Sequence, residues 1–370
     1  MRVAGHELNE LRDLAETTAT VAAACEAGVF AALRDGPAAP HELADRADLD
    51  ERAVAILLPV LAEAGVLEPV AAGVLEPGAA ADGVRAAGAG GSRFALTEEA
   101  RRKLADPDSP DFEAGGLPLW LDGLRAFTRL PEVLRTGEPV ERPGPQDEAE
   151  REDAEREGLK KFMAGMAAAP EARVGRIVDA CLERAPGART VLDLGGGPGH
   201  MARAFVERGL RATLLDRPET VDFVADAYGL SEVEDLELVG GDFIEDPLPD
   251  GPFDIVLMSN IVHIYSPAEN RALLAKVAGV TASGGVVGIA DFFRGRSGRA
   301  VRFAMVMLLK TEGGNTYTED ELASWLESAG FRGAETVQVD DDRHLILAVR
   351  RSAEYYPSRR RGTPLSGRRE

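Results

Sequence analysis

The chain has 370 residues, of which 45% are apolar, so it is long enough to form two domains with packed cores. Its formal net charge of -21 disfavours nucleic acids and membrane surfaces as partners. Two cysteines, a polar N-terminus and no apolar run of membrane-spanning length favour a cytoplasmic protein without a disulfide framework, a metal site or a signal peptide.

The first 112 residues are predicted to form a mainly helical domain of the winged-helix type. Apolar spacing predicts a helix over 8–34, two short helices between His41 and Gly65, and a strand at Arg93–Leu96. The Ala- and Gly-rich segment 70–92 is predicted to be a loop.

Because winged helices often bind DNA, a DNA-binding regulator is one interpretation of this region. The second helix of the pair, ERAVAILLPVLAEAG, carries one Arg and two Glu and is otherwise largely apolar. A recognition helix needs basic side chains that face phosphates and base edges. The pattern is more typical of a buried or dimer-forming helix.

Residues 113–186 are predicted to connect two domains with helices that line a substrate pocket. An apolar stripe marks 117–135, and the segment 137–146 is rich in Pro and Gly. The acidic run 147–157 is typical of a solvated helix start, and the helical pattern continues over 158–187.

Strands and helices alternate from Thr190 onward, which predicts a doubly wound parallel sheet over residues 187–350. The predicted strands are Thr190–Leu194, Arg211–Asp216, Leu236–Gly240, Phe253–Ser259 and Gly285–Asp291. A helix over 316–330 and a hairpin of two strands, Ala334–Val339 and His344–Arg350, are predicted to close the sheet with an antiparallel strand. Residues 351–370 are predicted to be a disordered basic tail.

A glycine-rich loop, Gly195 to Gly199, follows the first of these strands and precedes a helix. A dinucleotide fingerprint would need a third glycine where this chain has His200. Asp193 at the strand end would repel a pyrophosphate but attract an ammonium or sulfonium group. Gly195, Gly197 and Asp193 are therefore predicted to bind a nucleoside that carries positive charge.

Acidic residues also follow the next two strands. Asp216 ends the second strand, where a carboxylate can accept hydrogen bonds from a ribose diol. Asp242 follows the third strand and could accept from an adenine amino group, with Phe243 beside the base. Three such elements in order are far more specific than the glycine loop alone.

The fourth strand ends in Ser259 and Asn260 and is followed by His263. Ligands of open parallel sheets bind beyond the carboxyl ends of the strands, so we expect these residues near the reacting atoms. A histidine there can remove a proton from a hydroxyl near neutral pH.

The segments VLDLGGGPG, LLDRPETV, GGDF, SNIVHIYSPAENRALLAKV, GGVVGIADFF and MLLKTEGGNTYTEDELASWLESAGF, in this order, resemble the class I S-adenosylmethionine-dependent small-molecule O-methyltransferases. The resemblance extends from about Leu8 to Arg350. It implies S-adenosylmethionine as the cofactor, S-adenosylhomocysteine as its product, and a homodimer formed through an N-terminal winged-helix domain.

By position, the resemblance implies that His263 is the catalytic base and that Asp291 orients it. Thr316 stands where plant-type members have a second supporting Glu, so that acid is missing here. The resemblance places Phe162, Met163 and Met166 on a helix that lines the pocket, although their spacing also fits ordinary core packing. The full set of expected substrate contacts is Phe162, Met163, Met166, Tyr265 and Met305.

The function that follows is O-methylation of a phenolic or enolic hydroxyl on an aromatic or polyketide-like secondary metabolite. Two alternatives with the same fold are methylation of carbon or nitrogen, and use of the cofactor for decarboxylation or hydroxylation.

Overall fold

The computed structural model describes residues 8–70, 93–107, 109, 112–140 and 148–352. The chain divides into two compact units, of which the first is Met1–Gly175 with Leu308–Lys310 and the second is Arg176–Met307 with Thr311–Glu370. Most of the predicted loop at 70–92 and of the predicted basic tail lies outside the described residues.

The first unit consists of helices and one two-stranded antiparallel sheet. The helices are α1 (Leu8–Glu26), α2 (Val29–Ala32), α3 (Pro40–Ala47), α4 (Glu51–Glu63), α5 (Glu98–Ala100, continued by a π-helical turn at Arg101–Ala105), α6 (Leu117–Phe127), α7 (Leu130–Thr136), α8 (Glu148–Ala167) and the start of α9 (Glu171–Arg184). The strands are β1 (Leu67–Val70) and β2 (Arg93–Leu96). Helices α3 and α4 followed by this sheet reproduce the predicted helix-turn-helix and strand order.

Three segments predicted as single helices are interrupted, each at a residue that breaks helical geometry. The helix over 8–34 breaks at Gly28, whose φ is +76°. The helix over 117–135 breaks before Pro131, and the helix over 158–187 breaks at Pro170, because proline cannot donate the backbone hydrogen bond of a helix interior.

Helix α4 shows which surface the first unit buries. Leu58 and Leu61 lie fully in its core, whereas Ile56 and Val60 are exposed. Asp50 caps this helix by accepting a hydrogen bond from the Ala53 N–H at 2.8 Å. The exposed face of α4 is thus apolar rather than basic.

The second unit contains a seven-stranded mixed sheet with the order β5-β4-β3-β6-β7-β9-β8. The strands are β3 (Thr190–Leu194), β4 (Arg211–Asp216), β5 (Leu236–Gly240), β6 (Phe253–Ser259), β7 (Thr281–Asp291), β8 (Phe331–Gln338) and β9 (His344–Arg350). Strands β3 to β7 pair in parallel, and β9 is antiparallel to both β7 and β8. The predicted doubly wound sheet with an antiparallel end is confirmed.

Helices cover this sheet and connect its strands. They are α10 (His200–Glu207), α11 (Pro218–Ala227), α12 (Pro267–Val280), α13 (Gly298–Lys310) and α14 (Glu319–Ser328), with 3-10 turns at Leu230–Glu232 and Val262–Ile264. The predicted capping box of α14 forms, since Thr318 Oγ1 accepts from the Glu321 N–H and Glu321 Oε2 accepts from the Thr318 N–H. None of the helices in the described ranges is long and apolar enough to cross a bilayer.

The strand order reverses beside β3, because the chain runs outward from β3 to β5 and then returns to place β6 on the other side of β3. At such a point the loops after neighbouring strands separate and leave a crevice at their carboxyl ends. We therefore expect a ligand to bind where β3 and β6 diverge. Asp193, Asp216 and Ser259 lie at the ends of β3, β4 and β6, whereas Asp242 follows β5 and Asp291 ends β7.

Candidate active site

The glycine loop begins at Gly195, directly after β3. Its φ is +69°, and its N–H donates to the Leu215 carbonyl on β4 at 2.7 Å. A Cβ atom at this position would lie 2.3 Å from Ile261 Cδ1, so only glycine permits this path. The loop therefore turns tightly and keeps its backbone open toward a ligand.

Asp193 lies on β3 just below this loop and is 1% exposed. Its Oδ2 accepts a hydrogen bond from the Ala202 N–H at the start of α10, at 3.1 Å. Burial raises the pKa of Asp193 to about 7, because removal from water disfavours its charged form. A buried carboxylate in this situation is suited to a cationic ligand, which would supply the charge that water no longer compensates.

Asp216, at the end of β4, is tied to the same loop. Its Oδ2 accepts from the Gly197 N–H at 2.9 Å, and its Oδ1 accepts from the Arg217 N–H at 2.8 Å. These bonds fix the carboxylate at the strand end and leave further lone pairs for a diol. The structure thus brings Asp193, Gly195, Gly197 and Asp216 together at one edge of the sheet.

Asp242 and Phe243 begin a turn after β5. Asp242 Oδ1 accepts from the Ile244 N–H at 2.8 Å, and the Asp242 N–H donates to Asp246 Oδ2 at 3.0 Å. Phe243 is buried, and its ring meets that of Tyr265 edge to face with centroids 5.9 Å apart. Tyr265, a predicted substrate contact, therefore packs beside the residues predicted for adenine.

The charge of the Asp242 carboxylate also affects the Tyr265 hydroxyl. Burial, reinforced by the Asp242 carboxylate, raises the pKa of Tyr265 to about 12. Its hydroxyl is therefore protonated at physiological pH and is available as a hydrogen-bond donor.

Ser259 is the last residue of β6, and Asn260 follows it. Asn260 has a φ of +59°, and its N–H donates to the Ala290 carbonyl at 2.9 Å. The Asn260 amide oxygen accepts a hydrogen bond from the Arg343 guanidinium. This guanidinium in turn lies 4.2 Å from the centroid of the Phe292 ring.

His263 lies in the 3-10 turn after β6 and is 7% exposed. Its Nδ1 is 2.7 Å from Asp291 Oδ1 and 2.9 Å from Asp291 Oδ2. Asp291 also accepts from the Phe292 N–H at 2.7 Å, which holds the carboxylate at the end of β7. A proton on Nδ1 shared with Asp291 leaves Nε2 as the free ring nitrogen, so the imidazole can act as a base.

Two phenylalanines set the orientation of the imidazole. Phe303 on α13 meets the His263 ring edge to face with centroids 4.9 Å apart, and Phe292 packs against Phe303 at 4.5 Å. Neither contact was predicted from the sequence, because the three residues lie on separate elements and no local pattern connects them.

The turn that carries His263 is held by hydrogen bonds to its carbonyl oxygens. Asn270 on α12 is fully buried and donates from Nδ2 to the carbonyls of Val262 at 2.9 Å and Tyr265 at 3.0 Å. The Tyr317 hydroxyl donates to the same Tyr265 carbonyl at 2.6 Å. Burial raises the pKa of Tyr317 to about 12, which keeps this donor protonated. Sequence reasoning missed both residues.

Thr316 takes no direct part in this arrangement. It is fully buried, and its Oγ1 donates to the Ala300 carbonyl at 3.1 Å. The adjacent residue Asn315 instead donates its N–H to the His263 carbonyl at 3.0 Å. In place of a second acid, this segment therefore supplies donors that hold the backbone of the His263 turn.

The other expected pocket residues divide between the two units. Phe162, Met163 and Met166 lie on α8, where Met163 is buried in the first unit and Phe162 is 41% exposed. Met305 lies half-buried on α13, two residues after Phe303. Among the described residues, no group of three His, Cys, Asp or Glu side chains could hold a metal ion.

Comparisons with known proteins agree on one family. Residues 147–332, half of the chain, match the model of the O-methyltransferase domain family. The chain is 30% identical to 3-hydroxy-5-methyl-1-naphthoate 3-O-methyltransferase of Streptomyces sahachiroi, over 87% of this chain and 88% of that protein. It is 28% identical to the tetracenomycin polyketide synthesis 8-O-methyl transferase TcmO of Streptomyces glaucescens, over 85% and 88%.

The fold is shared with human N-acetylserotonin methyltransferase in complex with S-adenosylmethionine. That structure matches with a TM-score of 0.77 at 21% identity and covers 95% of this chain and 100% of its own. Family, relatives and fold together show that this chain belongs to the O-methyltransferase family and is an S-adenosylmethionine-dependent O-methyltransferase.

Proposed function

We propose that this enzyme methylates a phenolic or enolic hydroxyl of an aromatic, polyketide-like small molecule, with His263 as the general base. The observation that supports this most directly is the buried His263–Asp291 pair, in which Nδ1 faces the carboxylate at 2.7 Å. When bound, S-adenosylmethionine supplies the electrophilic methyl group.

The residues around the crevice fit the parts of this cofactor. Asp193 would face its cationic amino acid end, because the raised pKa of this carboxyl indicates a buried charge without full compensation. Asp216, held by the Gly197 N–H, would accept hydrogen bonds from the ribose hydroxyls. Asp242 and Phe243 would hold adenine, and Ser259 and Asn260 would line the same edge.

His263 then moves one proton. The substrate hydroxyl gives its proton to Nε2 while its oxygen becomes the nucleophile, and Asp291 stabilises the imidazolium that forms through the Nδ1–H bond. Phe303 and the backbone donors around the turn hold the ring in this orientation. Most of the rate acceleration should come from holding the oxygen in line with the methyl group, and the base adds to it.

The substrate class is supported by the names of the relatives. One relative methylates the 3-position of a hydroxynaphthoate and another acts in tetracenomycin polyketide synthesis. In the second unit, the side chains proposed to contact substrate, Tyr265 and Met305, suit a flat aromatic acceptor.

The experiment is a substrate panel with release of S-adenosylhomocysteine as the readout. Hydroxynaphthoates and hydroxylated tetracyclic polyketides are compared with analogues in which the hydroxyl is replaced by an amine or by hydrogen. We expect turnover and an O-methyl product only with the hydroxylated compounds. Transfer to the amine or to ring carbon, or loss of carboxylate without methylation, would contradict O-methylation of these acceptors.

A further inference from the structure

Lys276 on α12 reaches across to the turn that carries Asp242 and Phe243. This turn, Asp242–Asp246, connects β5 to the segment before β6 without regular secondary structure. Its position therefore depends on side-chain contacts rather than on a strand or helix ladder.

The ammonium group of Lys276 is bound by carbonyl oxygens of this turn. Nζ donates to the Asp246 carbonyl at 2.9 Å, to the Phe243 carbonyl at 3.3 Å and also to the Ile244 carbonyl. An ammonium has three N–H donors, and three carbonyls of one turn accept them. Hydrogen bonds from a charged donor are stronger than those between neutral groups.

The remaining hydrogen bonds of the turn are internal. Asp242 Oδ1 accepts from the Ile244 N–H, Asp246 Oδ2 accepts from the Asp242 N–H, and the Asp246 N–H donates to the Asp242 carbonyl at 2.7 Å. These bonds give the turn its shape. Directly before it, the Gly241 N–H donates to the Asp216 carbonyl at 2.9 Å, and the Phe243 ring is buried in the core. Lys276 provides a polar attachment from a helix that also carries Asn270, one of the residues that hold the His263 turn.

We propose that Lys276 is a positioning residue for adenine recognition, which acts by holding the Asp242 carboxylate and the Phe243 ring at the place of the base. The inference rests on the proposed roles of Asp242 and Phe243 as adenine contacts. Lys276 itself binds the backbone of the turn. Its loss should therefore weaken selectivity for the adenine ring, while the contacts of Asp193 and Asp216 remain.

The test compares two cofactor products that differ at one position of the base. S-adenosylhomocysteine carries the exocyclic amine that Asp242 would accept from, and S-inosylhomocysteine carries an oxygen there. Their Kd values are measured by calorimetry on the full chain for the wild type, K276M, D242N and the control K160M. Lys160 is an exposed lysine that pairs only with Glu157 on its own helix among the ion pairs of the described residues, so K160M makes the same charge change elsewhere.

We expect the wild type and K160M to prefer the adenine compound, and D242N to lose this preference. K276M should bind S-adenosylhomocysteine roughly tenfold more weakly, the order of effect of a lost charged hydrogen bond, and S-inosylhomocysteine less than about threefold more weakly. K276R, which keeps charged donors, should recover part of the preference for the adenine compound. The kcat of both Lys276 variants at saturating S-adenosylmethionine should stay close to wild type.

Equal weakening of both compounds in K276M would show a purely structural lysine and overturn the inference, as would an unchanged preference. If D242N keeps the preference for the adenine compound, Asp242 does not recognise adenine. The inference on Lys276 then fails because the proposed function of Asp242 fails, and this result is distinct from equal weakening in K276M. Should K276M not fold, K276Q and K276R are compared instead, and equal preferences in these two would also overturn it.

Discussion

At the scale of single residues, the site contains two buried carboxylates in opposite situations. Asp291 accepts hydrogen bonds from the imidazole of His263 and from the Phe292 N–H, so its oxygens have partners within the protein. Asp193 is equally buried, but its hydrogen-bond partner is the backbone N–H of Ala202. The first carboxylate supports a neighbouring side chain, whereas the second favours a positively charged ligand.

Replacement of His263 by Ala tests the base. We expect kcat to fall by about 10²–10⁴-fold, because a positioned general base contributes on that order. Cofactor Kd should stay close to wild type. H41A, which removes an exposed histidine of the first unit, is the control and should be fully active. The kcat of each variant is measured by steady-state kinetics with the best hydroxylated acceptor. An undiminished kcat in H263A would show that His263 is not the base and that catalysis depends on positioning of the substrate alone.

Replacement of Asp193 by Asn tests its uncompensated charge. The folded-state pKa of about 7 lies above the ordinary value of 3.8, so the folded protein retains a proton that the unfolded chain has lost over this interval. The contribution of Asp193 to the free energy of unfolding of the cofactor-free protein should therefore decrease as pH rises from about 4 to about 7.

At about pH 8 without cofactor, D193N should consequently be more stable than wild type, by an amount on the order of 2–4 kcal/mol. The gain should shrink toward acidic pH, and cofactor affinity should drop. Urea unfolding at both pH values measures this, with the exposed-site variant D226N as control. A D193N protein that is less stable than wild type in the alkaline buffer would contradict the prediction.

At the scale of elements, the His263 turn depends on close contact with the segment after α13. Gly314 lies so near that a Cβ atom there would be 2.5 Å from the His263 carbonyl oxygen and 2.9 Å from the Ile264 carbonyl oxygen. The same segment donates from the Asn315 N–H and the Tyr317 hydroxyl. The His263 turn is therefore held by this loop as well as by α12.

We expect G314A to lower kcat by roughly tenfold or more, because the added methyl group displaces the turn that positions the imidazole. G279A is the matched control. Gly279 lies in α12, and a Cβ atom there would meet no atom outside its own helix backbone within 4 Å, so an alanine should be neutral or slightly stabilising. Wild-type kcat in G314A would show that the turn tolerates movement.

At the scale of the whole molecule, the proposed catalytic and cofactor-binding residues all lie in the second unit. The first unit instead exposes apolar side chains on α4. Ile56 is 57% exposed and Val60 is 37% exposed. Because of this exposed pair and the non-basic character of the helix, we propose that the enzyme is a homodimer formed through its first unit, as the family resemblance implies.

We therefore expect light scattering after gel filtration to give twice the chain mass of 39.3 kDa. The double variant I56E/V60E should give a single chain mass, because two buried charges without partners would oppose association. L134E, at an apolar residue of α7 that is 66% exposed, serves as the control and should remain dimeric. A monomeric wild type would refute the proposal.

The sheet could be predicted almost completely from sequence, because each parallel strand is a largely apolar run that ends near Gly, Asp or Ser. The bounds of β3, β4, β5, β6 and β9 agree with the prediction. Strand β7 begins earlier, at Thr281 rather than Gly285, and β8 spans Phe331–Gln338 rather than Ala334–Val339. The glycine loop, Asp216 and Asp242 follow the strand ends and could be found for the same reason.

The supporting contacts could not be predicted in this way. Phe303, Asn270, Tyr317 and Lys276 act on turns that are far away in sequence or on other elements, and no periodic pattern marks them. Helix interruptions at Gly28 and Pro131 were also missed, because strong apolar spacing on both sides concealed a local break.

The buried Asp193 has a further consequence for the pH dependence of cofactor binding. Near neutral pH a fraction of the empty protein holds a proton on this carboxyl, and a cation that takes its place drives that proton into solution. With Asp193 in its proposed role, cofactor binding should release this proton. The heat of binding should then depend on the ionisation enthalpy of the buffer, and the affinity should increase with pH up to about 7. On the proposed role of Asp193, the fraction of enzyme that holds cofactor at a fixed cofactor concentration should therefore decrease as the pH falls below about 7.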